Sequence, residues 1–267
     1  MKPALALALV HALAFPAFAG EIGPEALPGL RADIVILGEV HDNPAHHANQ
    51  ALALAFLRPS AIVFEMLSPE RASYATPAAR DSAEGLAAAL DWEASGWPDF
   101  AMYYPLFEAA PEATIRGAEV LREALLRAMA EGAAAAFGEG AARFGLTEAL
   151  APDMQAELEA EQMAAHCDAL PADRMAGMVE AQRLRDAALA AAALEALAET
   201  GGPVAVITGS GHARTDRGMP ALIALAAPGV SVISVGQIEA PAEPLQPFDY
   251  WIVTDPAPRE DPCAVFR

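Results

Sequence analysis

Two short segments of the sequence share one pattern, in which an apolar run is followed by glycine, two residues and histidine. The first is DIVILGEVH at residues 33–41, and the second is VAVITGSGH at residues 204–212. Each apolar run has the length of a buried β-strand, and open α/β sheets place their chemistry at the carboxyl ends of strands. We therefore predict that His41 and His212 lie close together at one edge of a sheet.

Two carboxylates accompany these histidines. Glu39 lies two residues before His41, and Glu65 ends another apolar run at residues 61–65. Imidazole and carboxylate groups are ligands of zinc and non-haem iron(II), and they also act as general acids and bases. The four residues therefore predict a catalytic or metal-binding site, against the plainer reading of hydrogen-bonded loop residues. They leave open whether the ligand is a divalent metal ion, a metallated cofactor or an organic substrate.

Two more histidines, His46 and His47, follow the dipeptide Asn43-Pro44. Asparagine before proline is typical of a helix N-terminus, so a helix is predicted from residue 44 to about residue 57. The free amides of a first helical turn disfavour the charged imidazolium. Both rings are therefore expected to be neutral and able to act as ligands.

A second polar group lies on the helix predicted at residues 172–198. One face of this helix carries Gln182, Arg185 and Asp186 among apolar side chains. Burial of such groups is costly unless each finds a partner. Arg185 is therefore predicted either to bind an anionic group such as a carboxylate or propionate, or to pair with a strand-end carboxylate.

Aromatic residues concentrate between positions 92 and 107. The six are Trp92, Trp97, Phe100, Tyr103, Tyr104 and Phe107. Core packing is the expected role for most of them, but together they could also wall a flat hydrophobic ligand. A tyrosinate among them could ligate the iron of ferric haem.

The apolar runs and turn signals predict an α/β fold, with a mostly parallel sheet flanked by helices and a large helical insertion. Six strands are expected, at residues 33–37, 61–65, 113–116, 204–208, 230–235 and 250–254. Their continuous apolar character indicates strands covered on both faces. The stretch at about residues 119–200 has no strand pattern and is predicted to be a helical subdomain within one domain at residues 20–267.

The N-terminus resembles a secretory signal peptide with cleavage after about Ala19. No cysteine lies near that position, so we expect no lipid anchor and a periplasmic or secreted protein. The net charge of −20 at pH 7 excludes nucleic acid and anionic membrane surfaces as natural partners. The two cysteines, Cys167 and Cys263, favour a disulfide in an oxidising compartment. The alternative makes Cys167 a metal ligand beside His166.

Several motifs, in order along residues 33–235, resemble the ChaN-like haem-binding proteins, an iron-regulated, often lipoprotein family within the wider erythromycin esterase-like and Tiki superfamily. They are GEVHDN at 38–43 with His46-His47, FEM at 64–66, WEASGW at 92–97 leading to Tyr104-Pro105, His166-Cys167, AQRLRDA at 181–187, and GSGH at 209–212 continuing to RGMP at 217–220.

The resemblance implies an exported protein that stores, transfers or takes up haem or iron. It further implies haem held at a homodimer interface, tyrosine ligation by Tyr103 or Tyr104, and delivery involving outer-membrane haem-uptake machinery. The alternative function is a metal-dependent or His/Glu-based hydrolase of the cell envelope, with His41 as general base oriented by Glu39 or Glu65. Neither a GxSxG nor an HExxH motif is present for the common hydrolase routes.

Overall fold

Seven parallel strands form one sheet in the computed structural model, which describes residues 19–266. In chain order they are β1 (Gly20–Glu21), β2 (Ile34–Glu39), β3 (Ala61–Phe64), β4 (Thr114–Gly117), β5 (Val204–Gly209), β6 (Val232–Glu239) and β7 (Tyr250–Thr254). The spatial order is β1-β7-β6-β2-β5-β3-β4, and every neighbouring pair is parallel. The predicted α/β fold is confirmed. Apart from its last residue, the predicted signal peptide lies outside the described residues.

Nine α-helices connect or cover these strands within residues 19–266. They are α1 (Pro44–Leu57), α2 (Pro69–Ser73), α3 (Ala83–Ala89), α4 (Phe100–Ala109), α5 (Arg122–Glu131), α6 (Ala133–Phe137), α7 (Pro152–Ala165), α8 (Met175–Thr200) and α9 (Met219–Ala226). Helix α1 begins as predicted, because the Asn43 side chain accepts a hydrogen bond from the Ala45 amide and Pro44 occupies the first turn. None of the described helices is both long and apolar enough to cross a membrane.

The two central strands are buried on both faces, which is why their sequences are continuously apolar. All six residues of β2 and all six of β5 are buried. Val35 and Leu37 pack in one core layer with side chains of α1 and α4, whereas Ile34 and Ile36 pack in a second layer with α8 and α9. Full burial of each such side chain stabilises the fold by about 1.5–3 kcal/mol. The two layers therefore fix β2 and its carboxyl end rigidly.

The sequence prediction misses two parts of the sheet. The two-residue edge strand β1 has no periodicity to reveal it, and β6 continues four residues past the predicted end at Val235. The apolar pattern stops there because Gly236 and Gln237 follow. Gln237 is nevertheless buried, since its side-chain amide donates to the carbonyls of Gly38 and His46. A polar side chain that satisfies neighbouring backbone groups thus replaces an apolar one.

The stretch at residues 119–200 carries helices α5 to α8 and no strand. Helix α8 is buried along the sheet, whereas α7 has no fully buried residue. A disulfide joins Cys167, just after α7, to Cys263 in the C-terminal segment. The predicted disulfide is therefore present, and Cys167 is not free to act as the metal ligand of the alternative prediction.

Candidate functional site

The candidate site lies at the carboxyl edge of the sheet, where β2, β3 and β5 end side by side. In the strand register Glu39 is opposite Gly209. The Glu65 amide donates to the carbonyl of Ile207, and the Ser210 amide donates to that of Glu39. The two histidine motifs and Glu65 are thereby brought to one place, as the sequence analysis predicts for their positions.

Glu39 is the centre of the first polar cluster. Its side chain is fully buried, and Oε1 accepts hydrogen bonds from His41 Nδ1 at 2.8 Å and from the Tyr103 hydroxyl at 2.9 Å. Because a carboxylate only accepts, His41 carries its proton on Nδ1 and leaves Nε2 for a ligand. Burial lowers the pKa of His41, but hydrogen bonding and attraction to Glu39 outweigh it and raise the pKa. Burial and Glu39 together raise the pKa of Tyr103, which remains a neutral phenol.

The other side of Glu39 meets His47. Glu39 Oε2 and His47 Nδ1 lie 3.5 Å apart, and both atoms are buried with no hydrogen-bond partner in the described part of the chain. The remaining ring nitrogen of His47, Nε2, donates to the carbonyl of His41 at 2.9 Å. His47 therefore supports the backbone of the His41 loop and the buried carboxylate.

His212 is the centre of the second cluster and lies between two carboxylates. Its Nδ1 is 2.7 Å from Asp186 Oδ1, and its Nε2 is 3.5 Å from Glu65 Oε1. Burial alone would lower the pKa of His212, but Glu65 and Asp186 outweigh it and raise the pKa to about 10. His212 is therefore an imidazolium at neutral pH.

The two carboxylates around His212 respond differently to burial. Burial would raise the pKa of Glu65, but attraction to His212, with a backbone hydrogen bond from Gly209, lowers it far below the ordinary value. The Thr208 hydroxyl also donates to Glu65, at 2.7 Å. For Asp186 burial prevails and raises the pKa. The cation His212 thus lies between Glu65, whose pKa is strongly lowered, and Asp186, whose pKa is raised.

Gly209 separates the two clusters, and its missing side chain allows them to approach. A Cβ atom at Gly209 would lie 3.0 Å from His41 Nε2 and 3.8 Å from Glu65 Oε2. The His41 ring therefore packs directly over this glycine. On the outer side the indole ring of Trp97 contacts the His41 ring edge-on, with centroids 4.8 Å apart.

A cavity of about 590 Å³ opens over this edge of the sheet. Its polar lining includes His41, Glu65, His166, Arg122, Arg185 and His212, and its apolar lining includes Trp97, Leu125, Leu126, Met129, Met178 and Leu189. Within residues 19–266 neither arginine makes a hydrogen bond or a close ion pair. Burial lowers the pKa of Arg185, and more distant Glu65 and Asp186 oppose that shift. The predicted direct pairing of Arg185 with a strand-end carboxylate is not seen.

A second cavity of about 470 Å³ adjoins the first and shares His41, Gln162, Gln182 and His212 with it. Its apolar lining includes Leu158 on α7, Val179 on α8 and Leu222 on α9. Helix α7 therefore borders both cavities. Arg217 donates to Glu157 and Glu161 on α7 and ties this helix to the segment before α9.

Four of the residues predicted to bind a cofactor line neither of these cavities. His46 is fully buried. Its Nδ1 accepts a hydrogen bond from the Val40 amide at 2.8 Å, and its Nε2 lies 2.8 Å from Thr254 Oγ1. Burial lowers the pKa of His46 to about 4. His47 and Tyr103 surround Glu39 as described above. The Tyr104 hydroxyl donates to the carbonyl of Arg80 at 3.0 Å. Their assignment to haem binding stays a prediction.

The metal-ligand prediction for Glu39, His41, Glu65 and His212 finds no support in the described part of the chain. No three histidine, cysteine, aspartate or glutamate side chains there are grouped so as to hold a metal ion.

Sequence reasoning missed Asp186 as the partner of His212. Asp186 shares a polar helix face with Arg185, and that face was the only signal of a role. Nothing in the spacing pairs a residue of α8 with the end of β5. The aromatic prediction is met in its main part, because Trp92, Phe100, Tyr103 and Phe107 are core residues, whereas Trp97 lines the cavity.

Two of three comparisons with known proteins found a match. A comparison with curated protein sequences found no match. The chain is similar to a solved structure described as "Cofacial heme binding to ChaN of Campylobacter jejuni", with 19% identity and a TM-score of 0.62 over 85% of this chain and 88% of that one. This likeness shows a shared fold. The sequence profile of the family described as "Haem-binding uptake, Tiki superfamily, ChaN" matches residues 30–223. The chain therefore belongs to the ChaN family of the Tiki superfamily.

Proposed function

We propose that this chain is an exported haem-binding protein that stores, transfers or takes up haem or iron. The observation that carries the proposal is the cavity at the sheet edge, which combines apolar side chains with two arginines that make no hydrogen bond within residues 19–266. Membership of a family described by haem-binding uptake supports the same ligand. The Campylobacter relative's description reports cofacial haem binding by that protein.

The lining of the cavity fits the chemistry of haem. A porphyrin needs apolar contact on its faces, and Trp97, Leu125 and Met178 offer it. Its two propionates need cations, and Arg122 and Arg185 have free donors there. A volume of about 590 Å³ lies in the usual range for small-molecule sites. When bound, haem would supply an iron centre that can take a ligand from the protein.

Because the chain carries a negative net charge, two arginines in the lining of one cavity indicate a local preference for an anionic ligand. The chain has 36 acidic and 16 basic residues, so its overall field opposes anions. Arg185 is half-buried, and a buried cation without a hydrogen-bonded partner is costly. An anionic ligand would remove that cost. We therefore assign one propionate to Arg185, and the other to Arg122, which is exposed to solvent and lines the same cavity.

Titration of the purified chain with ferric haemin tests the proposal. We expect a saturable shift of the Soret band, with weaker binding in Arg122→Gln and Arg185→Gln because each loses a charged hydrogen bond of about 1.5–3 kcal/mol, or roughly 10- to 150-fold in Kd. The matched control is Arg127→Gln, since Arg127 lies on α5 but pairs with Glu131 outside the cavity. The absence of saturable binding would refute the proposed function. Equal haemin affinity of the three variants would refute the assignment of the propionates to Arg122 and Arg185.

Export and assembly belong to the same proposal. The disulfide Cys167–Cys263 supports an oxidising compartment, periplasmic or extracellular. Cell fractionation and the N-terminal mass of the isolated protein test export and cleavage after about Ala19. Light scattering with and without haemin tests the homodimer. Transfer of bound haem to membranes containing an outer-membrane haem receptor tests the uptake role.

A second candidate function is a hydrolase of the cell envelope. The observation that favours it is His41, which lines the cavity together with Glu65 and His212 and whose Nδ1 is oriented by Glu39. This is the arrangement of an oriented general base, worth about 10²–10⁴-fold in rate. The imidazolium of His212 would stabilise developing negative charge. In the metal-dependent form Glu39, His41, Glu65 and His212 would supply ligands.

An ester and peptide substrate panel, assayed with and without added divalent metal, tests this second candidate. We expect activity that is lost in His41→Gln and kept in Arg127→Gln. Activity that needs added metal would favour the metal-dependent form. No turnover by the wild-type chain on any substrate would count against the hydrolase and leave haem binding unaffected.

A further inference from the structure

The C-terminal segment is held firmly against the loop between β2 and α1. The Arg259 side chain donates paired hydrogen bonds to the carboxylates of Asp42 and Glu239, at 2.6–2.7 Å. Paired contacts between arginine and carboxylate are among the stronger hydrogen bonds in proteins. Residues 255–263, here called the strap, are therefore fixed at one end beside the loop that carries His41.

The other end of the strap is bonded covalently to the end of α7. Cys263 forms its disulfide with Cys167, which lies two residues after the last residue of α7. Cys263 follows Arg259 by four residues, and four fully extended residues span at most about 14 Å. The disulfide therefore keeps the end of α7 within a short distance of the His41 loop.

Apart from the disulfide, α7 is held by exposed contacts. None of its residues is buried, and it packs against α8. Arg217 donates to Glu157 and Glu161 of α7, but both glutamates are about half exposed, and exposed ion pairs stabilise little. Helix α7 nevertheless borders both cavities, because Gln162 lines both and Leu158 lines the smaller one. A movement of α7 would therefore open both cavities.

The turn that carries Cys167 has an unfavourable backbone conformation. Helix α7 ends in a Schellman motif. The Cys167 amide donates to the carbonyl of Ala164, and the Asp168 amide donates to that of Met163. Glycine usually occupies the position of Cys167 in this motif, since φ is positive there. Here φ is 61° at Cys167 and 54° at Asp168. Such a conformation persists only where the surrounding structure holds it, and the disulfide is one restraint that does so.

The disulfide is accessible to a reductant. Both cysteines are half-buried, and their neighbours Asp168, Pro262 and Ala264 are exposed. Exposed disulfides are the ones most readily reduced. A thiolate of a dithiol reductant attacks one sulfur, and the other sulfur leaves as a thiolate; the second thiol of the reductant then resolves the mixed disulfide. Two electrons and two protons pass to the chain, and the reductant leaves as its own disulfide.

We propose that the Cys167–Cys263 disulfide is a redox switch for ligand release, an inference that rests on the proposed haem-binding function for its ligand. In the oxidised chain the strap holds α7 at the wall of both cavities. Reduction by a dithiol detaches α7 from the strap, lets the turn at Cys167 relax, and lets α7 move away from bound haem. Oxidation restores the closed form.

Hydrogen–deuterium exchange of the ligand-free full chain tests the restraint on α7. Cys263→Ser should raise exchange in residues 152–165 while β2 and β5 stay protected. Cys167→Gly should do the same although glycine suits this position, because it removes the same bond. Arg259→Gln, which detaches the other end of the strap, should raise exchange less. The matched control is Arg127→Gln, a surface arginine outside both cavities, which should leave α7 unchanged.

Two results would overturn the restraint. One is unchanged exchange of α7 in Cys263→Ser, and the other is an equal rise in β2 and β5, which would mean general destabilisation. Dithiothreitol should also reduce the disulfide of the wild type with no change in circular dichroism, as read by alkylation and mass. Reduction that requires a denaturant would overturn the switch.

Haemin titration tests the effect on the ligand, and it is done without added thiol because thiolates bind haem iron. Cys263→Ser should bind haemin about fivefold or more weakly than the wild type, the lower end of usual couplings between sites, and should release it faster to apomyoglobin. Equal haemin affinities of these two chains would overturn the switch while haem binding stands. A wild type that binds no haemin refutes the proposed function and the release of haem together, and the exchange data then report the restraint on α7 alone.

Discussion

Replacement of Asp186 by Asn should lower the pKa of His212 without removing its hydrogen bond. The Asn side-chain oxygen can still accept from His212 Nδ1, so the change removes a charge at 2.7 Å and little else. In the wild type the pKa of His212 rises from its ordinary value of 6.5 to about 10. That rise corresponds to about 5 kcal/mol, and the two carboxylates must supply more because burial opposes them.

Both carboxylates supply this energy. Attraction to Glu65 is the largest effect that raises the pKa of His212, and attraction to Asp186 and its hydrogen bond follow. Since Asp186 lies at 2.7 Å and Glu65 at 3.5 Å, their shares are comparable. Half of about 5 kcal/mol is roughly 2.5 kcal/mol, which places the pKa of His212 in Asp186→Asn at about 8 or below. Nitrogen-15 shifts of the imidazole, followed between pH 6 and 11, report this value directly.

Stability should follow the same pKa. A group whose pKa is raised on folding stabilises the folded state fully below the unfolded pKa of 6.5, and this contribution is lost as pH rises through about 10. The wild type should therefore lose stability between pH 6.5 and 10, and Asp186→Asn should lose less over that window. A His212 pKa that stays near 10 in Asp186→Asn would refute the electrostatic account of this cluster.

Three further predictions concern the residues around the site. The pKa of His46 falls from 6.5 to about 4 on folding, so about 3 kcal/mol of the free energy of unfolding should be lost as pH falls from 6.5 to 4. Urea unfolding at both pH values should show a smaller loss in His46→Gln than in the wild type. An equal loss would contradict this prediction. Gly209→Ala should displace the His41 ring and change its imidazole resonances, whereas Gly211→Ala, where an added Cβ meets nothing within 4 Å, should not. Reduction of the disulfide, which spans 96 residues, should destabilise the chain by about 4–5 kcal/mol; an unchanged melting temperature in reductant would show that the loop is constrained by other contacts.

Much of the fold follows from local sequence signals. Strands β2 and β5 are visible because both faces are buried, which leaves an uninterrupted apolar run. Helix α1 is visible because Asn43-Pro44 is both a cap and a fixed first turn. Strand β1 is invisible, since two residues carry no periodicity. The end of β6 is hidden because Gln237 is retained in the core through long-range hydrogen bonds that no local pattern reveals.

The candidate site is predictable in position but not in its pairings. The glycine-to-histidine spacing locates His41 and His212 because parallel strands share one carboxyl edge. The same reasoning cannot assign Asp186 to His212, since that contact depends on how α8 lies across the sheet. It also cannot separate His46 and His47 from the cavity, because their burial depends on contacts with Thr254 and with the His41 backbone.

The five histidines within residues 19–266 differ most in the partner that each ring nitrogen has. His46 and His47 have buried partners and support the loop that carries His41. His212 is held between two carboxylates and is a fixed positive charge. His41 lines the cavity, and its hydrogen bond with Glu39 raises its pKa. His166 contacts the Gln162 carbonyl through Nδ1 at 2.7 Å and lines the larger cavity. The partners of each ring therefore separate the histidines that support the loop from those that line the cavity, which their spacing in the sequence does not.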